Sequence, residues 1–72
     1  MANLMTQQLF RDRKILDANL ESIFLHKRDR EDWMKTPNRD LDDLTPNYWA
    51  DKGRSVRVLE VLKQQLGHWI DK

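Results

Sequence analysis

Between Thr6 and Lys27 the chain carries neither glycine nor proline, and Leu9, Leu16, Leu20 and Ile23 recur at the three- and four-residue intervals that gather side chains on one helical face. Arg11, Asp12, Arg13 and Lys14 fill much of the other side, as an amphipathic helix requires. The pattern predicts an N-terminal helix over about residues 3–22. Asp17 and Asn19 are poor helix formers whose side chains compete for backbone hydrogen bonds, so one helix or two is left open.

Punctuation sets the rest. Asp29 is placed to cap a short helix through Glu31, Trp33 and Met34, which must end near Thr36 because the residue before Pro37 disfavours the helical region. From Pro37 to Thr45 the sequence reads as a loop, with Asp40, Asp42 and Asp43 as turn formers and Leu41 and Leu44 as its apolar pins. Thr45-Pro46 starts another brief helix, threonine capping and proline occupying the first helical position, where its missing N–H costs nothing. Gly53 stops it.

The last helix is expected over about residues 55–69, capped by Ser55. Val58, Leu59, Leu62, Leu66, Trp69 and Ile70 form its apolar face, and Val56 and Val61 lie off that face as possible contact residues. Strand signals are weak, with no Asn-Gly or Asp-Gly hairpin dipeptide. The expectation is one all-α domain over residues 1–72, a small bundle of about four helices around a Pro/Asp-containing central loop.

Composition narrows the function. A chain of 72 residues supports one small core, and it needs help to be stable. No cysteine is present, which removes disulfides, thiolate zinc sites and cysteine nucleophiles. The net charge of +1 is not the basic excess of a dedicated nucleic-acid binder. No apolar run reaches the roughly 18 residues of a membrane span. Residues 1–10 lack the pattern of a secretory signal, so a soluble, cytoplasmic domain is expected.

Thr36, Thr45 and Ser55 stand where caps and turns place them, not as nucleophiles. The acidic residues Asp40, Asp42 and Asp43 lack the glycine and distal glutamate of an EF-hand. His26 and His68 belong to no ligand-spaced cluster, so neither a metal nor any other cofactor is expected. No glycine-rich phosphate loop occurs, and the chain is read as a non-enzyme. The basic run His26-Lys27-Arg28-Asp29-Arg30 is followed by Glu31 and Asp32, which would repel phosphate. Of three tryptophans, Trp33 and Trp49 read as core filling, whereas Trp69, near the C-terminus, reads equally as an interface anchor.

One order of residues goes further. The stretch Trp33-Met34-Lys35-Thr36-Pro37-Asn38, then Leu41, Thr45-Pro46, Gly53 and Val58-Leu59-Glu60-Val61-Leu62, resembles the toxin-binding domain of the Xre/MbcA/ParS antitoxins. Each piece is an ordinary helix-boundary signal, but their order and spacing together are unusual. The resemblance covers about Ile23 to Ile70. Asp42-Asp43 stands where that family often has glycine or asparagine, and Tyr48-Trp49 where smaller aliphatics are common. The residues before the motif are too few for the DNA-binding helix-turn-helix of the usual family member. A stand-alone antitoxin, a piece of one, and a mobile-element protein reusing the fold all fit.

The resemblance implies inhibition by occlusion: such domains cover the active site of a cognate toxin, often of the NAD-consuming RES type, with the last helix and C-terminal tail. Under it, Trp33, Pro37, Asn38, Leu41 and Pro46 make the fold, with Asn38 satisfying loop backbone groups. The partner contacts fall on Arg54, Arg57, Val61, Gln64, Gln65, His68 and Trp69. Two other readings compete. In one, Arg11, Arg13, Lys14, Lys27, Arg28 and Arg30 track phosphates in a small nucleic-acid-associated or phage regulatory protein. In the other, Val56, Val61 and Trp69 meet a second copy, giving a homodimer or larger assembly.

Overall fold

The structure, a computed structural model, describes residues 4–67. It is all-α. Among the described residues four α-helices follow in order: α1 (Leu4–Ile23), α2 (Lys27–Lys35), α3 (Pro46–Asp51) and α4 (Ser55–Leu62), the last continuing into a π turn at Lys63–Gly67. A 3₁₀ turn, Arg39–Leu41, sits in the loop before α3, and an isolated antiparallel bridge between Asn38 and Leu44 closes that loop. No helix among the described residues is long and apolar enough to cross a membrane.

The N-terminal stretch is one helix, and its two poor helix formers are accommodated within it. Asp17 pairs with Arg13 one turn earlier at 3.2 Å, and the Asn19 amide donates to the Ile15 carbonyl at 2.8 Å. Leu16 and Leu20 are buried on its inner face, while Leu9, read as part of that face, is 40% exposed. Leu9 instead lies over Gly53, where an added Cβ would come within 3.1 Å of its Cδ2.

The second helix begins two residues before the expected Asp29 cap. His26 takes the cap position without a side-chain bond, and its carbonyl already accepts from the Asp29 and Arg30 amides at 3.1 and 3.2 Å. Asp29 therefore lies inside the first turn, where a negative charge still favours the helix dipole. Arg30 reaches back to the Phe24 carbonyl at 2.9 Å, tying α2 to the end of α1. The helix ends at Lys35, and Thr36 adopts the extended backbone that Pro37 imposes.

Thr45 caps α3 as expected, its hydroxyl accepting from the Tyr48 amide at 3.1 Å, with Pro46 buried at the first helical position. Gly53, at φ +78°, turns the chain back for α4. Ser55 does not cap α4. Arg54 holds the cap position, with its carbonyl accepting from Val58, and Ser55 is the first helical residue, almost fully buried. A small side chain is needed there because this end of the helix is enclosed.

Leu16, Leu20, Met34, Val58 and Leu62 form the core, with Ile23, Phe24, Trp33, Trp49, Ala50, Leu59 and Leu66 packed around it as partly buried residues. Burying each such aliphatic side chain is worth about 1.5–3 kcal/mol. Val61 is also buried, contrary to its placement off the apolar face, whereas Val56 is exposed as expected. The reason is that α4 packs against α1 and α3 and also against the Arg39–Leu41 turn, so its covered arc is wider than one stripe. The α-helical part stops at Leu62, short of the expected end, because residues 63–67 open into the π turn. Residues 68 and 69 lie outside the described residues. Of the two loop pins, Leu41 is fully buried and Leu44 is not, at 39% exposure.

Candidate functional site

The loop between α2 and α3 is organised by one side chain. The Asn38 carboxamide oxygen accepts from the Asp40 amide at 3.0 Å and from Gln65 Nε2 at 2.8 Å, while Asn38 Nδ2 donates to Gln65 Oε1 at 3.1 Å. The two primary amides thus face each other as donor–acceptor pairs. Gln65 Nε2 also donates to Asp40 Oδ2 at 2.9 Å. Asn38's own carbonyl accepts from the amides of Leu41 and Asp43, each at 2.9 Å, and its N–H donates to Leu44 at 3.0 Å. Five of the loop's backbone amides, those of Asn38, Asp40, Leu41, Asp43 and Leu44, find acceptors within the loop. Through its side chain Asn38 satisfies one loop amide, that of Asp40.

The indole of Trp49 joins this loop to the α3–α4 corner. Its Nε1–H donates to the Leu41 carbonyl at 2.9 Å, which fixes the ring. Tyr48 meets it edge-on, with centroids 6.0 Å apart, and the Arg57 guanidinium lies 4.9 Å from the Trp49 ring centroid. Lys52 Nζ stands 5.5 Å over Tyr48. Trp49, Gly53, Arg54, Val56, Arg57 and Glu60 line an open groove of about 520 Å³. Among the described residues, neither Arg54 nor Arg57 makes a side-chain hydrogen bond or an ion pair; the ion pairs present are Arg13–Asp17 and Lys27–Glu31.

The residues assigned to partner contact separate into distinct environments. Arg54, Arg57 and Gln64 are exposed on α4 and its continuation. Val61 is only 6% exposed and presents no usable surface. Gln65 is half-buried, with both amide atoms engaged by Asn38 and Asp40. His68 and Trp69 lie outside the described residues. Of the motif residues, Leu41 and Pro46 are buried, Trp33 and Asn38 partly buried, and Pro37 exposed. Trp49, read from sequence as core filling alone, also forms a wall of the groove. The signal lay in its placement: Trp49 stands four residues before Gly53 and Arg57 four after, so a reversal at the glycine sets them opposite each other.

The basic residues considered for phosphate tracking are partly spent on internal partners. Arg13 pairs with Asp17, Lys27 with Glu31 at 4.0 Å, and Arg30 with the Phe24 carbonyl. The groove they line between α1 and α2 also contains Asp17, Glu21 and Glu31, which interrupt any basic surface. Among the described residues no group of three or more histidine or carboxylate side chains is arranged to hold a metal ion. No family model, no curated protein and no solved structure matches the chain.

Proposed function

We propose that this chain is an antitoxin-like, protein-binding module that inhibits a partner toxin by covering its active site. The observation that carries the reading is the exposed α4 face with Arg54 and Arg57 beside the fixed Trp49 ring. Trp, Tyr and Arg are the residues over-represented where binding energy concentrates. The order of motif residues from Trp33 to Leu62, similar to that of the Xre/MbcA/ParS toxin-binding domain, supports a toxin of the RES type as the partner.

The test is co-expression with the protein encoded in the neighbouring reading frame, or with a RES-type toxin, reading growth and cellular NAD. Neutralisation together with a co-eluting complex supports the reading. A toxin that still depletes NAD beside abundant, folded chain overturns it. A chain ending at Gly67 then tests the contribution assigned to His68 and Trp69. The nucleic-acid alternative separates on salt: phosphate contacts weaken steeply between about 50 and 200 mM, whereas occlusion of a protein surface does not.

A further inference from the structure

The α3–α4 corner carries a cation with no counterion among the described residues. The Arg57 guanidinium lies over the Trp49 ring, 4.9 Å from its centroid, and the indole is itself anchored through Nε1–H to the Leu41 carbonyl. A guanidinium lying over an aromatic ring keeps N–H groups for an anion, and its planar fork matches a carboxylate. Arg54 lines the same groove, and no described carboxylate pairs with either arginine. Val56, 49% exposed, supplies an apolar patch beside them.

We infer that this groove docks a protein segment bearing a carboxylate next to an aliphatic side chain, with the carboxylate on the Arg57 fork and the aliphatic group on Val56 and the Trp49 ring. The inference rests on the protein-binding reading above and names the chemistry of the partner's contact. Bidentate arginine–carboxylate pairing suits an isolated acid, and holding the fork in place beforehand reduces the freedom lost on binding. A polyphosphate backbone fits less well. Glu60 lines the groove, so an anion repeated at every residue would meet its carboxylate, whereas a single carboxylate flanked by apolar groups need not.

The experiment uses the full chain, isotopically labelled, and three probes: a capped hexapeptide with a single glutamate among leucine and alanine, its counterpart with lysine in place of that glutamate, and a thymidine oligonucleotide. The acidic peptide is expected to shift the Trp49 indole signal and the amides from Arg54 to Glu60 saturably. Arg57→Gln should weaken it about 10-fold or more, and Arg57→Lys by an intermediate factor, because lysine keeps the charge and loses the fork. Arg28→Gln, an exposed change elsewhere, should leave it unaltered. Circular dichroism confirms folding; if Arg57→Gln does not fold, Arg57→Lys and Arg54→Gln carry the comparison. The inference is overturned by no saturable shift at millimolar peptide, by equal binding of the basic peptide, by Arg57 variants that bind like the parent, or by oligonucleotide competing more tightly at the same signals. A chain that neutralises a toxin but ignores the acidic peptide sinks the groove alone. One that takes the peptide through Arg57 and neutralises no toxin sinks the antitoxin reading alone.

Discussion

Asp42 and Asp43 occupy the left-handed region in succession, at φ +60° and +62°. The Leu44 amide bonds back to the Leu41 carbonyl across them at 3.0 Å, so the pair forms the centre of a tight turn of the kind glycine and asparagine favour. A side chain there costs up to about 1–2 kcal/mol, less for aspartate, while glycine adds freedom to the unfolded chain. Asp43→Gly is therefore expected to be net stabilising by about 0.5 kcal/mol, raising the melting temperature by about 2–4 °C. Gly53→Ala runs the other way. It meets both a φ of +78° and the Leu9 side chain, and should cost about 1–2 kcal/mol. Thermal melts of the two variants decide this; an Asp43→Gly protein melting below the parent would show that the turn is not strained.

Among the elements, the helix starts and stops carried by Pro37, Thr45-Pro46 and Gly53 were readable because each rests on a local backbone restriction. The start of α2 and the role of Ser55 were not, because both depend on contacts from other parts of the chain: Arg30 to Phe24, and the enclosure of the first turn of α4. The π turn is of the same kind. Nothing in Lys63–Gly67 announces it; Leu66 packs on the core, and Gln65 bonds Asn38, 27 residues away in sequence. Asn38→Ala and Gln65→Ala should each cost about 1–2 kcal/mol, with the double variant costing about 1 kcal/mol less than their sum. Strict additivity in urea denaturation would mean that the two amides do not meet in solution.

At the scale of the molecule, a core of this size supports about 3–5 kcal/mol of net stability, so single large side chains matter. Trp33 is partly buried against the core, not enclosed by it, which puts Trp33→Ala at about 2–3 kcal/mol, below the 3–5 kcal/mol of fully enclosed aromatics. That loss is comparable with the whole, and the variant should show measurable unfolded signal in water at 25 °C by circular dichroism. A variant that melts with the parent would remove Trp33 from the core. The bundle itself was legible, since it follows from periodicity and breakers. The groove was legible only in part. Arg54 and Arg57 were named only through the family resemblance, and the value of Trp49 to them arises when the glycine reverses the chain.

The pairing of Asn38 with Gln65 also closes a circuit. The 3₁₀ turn, α3, the glycine corner and α4 all lie between two residues joined to each other, while α1 packs against α4 from outside that segment. Such a segment opens as a unit or not at all, and its amides share one opening free energy. Native-state hydrogen exchange should therefore show Leu41, Trp49, Arg54 and Val58 converging on a common isotherm with added denaturant. The first turns of α1 should exchange from a separate, lower-energy opening. Under that scheme Gln65→Ala would accelerate exchange at Leu41 and Trp49 together, at sites on either side of Thr45 that share no helix.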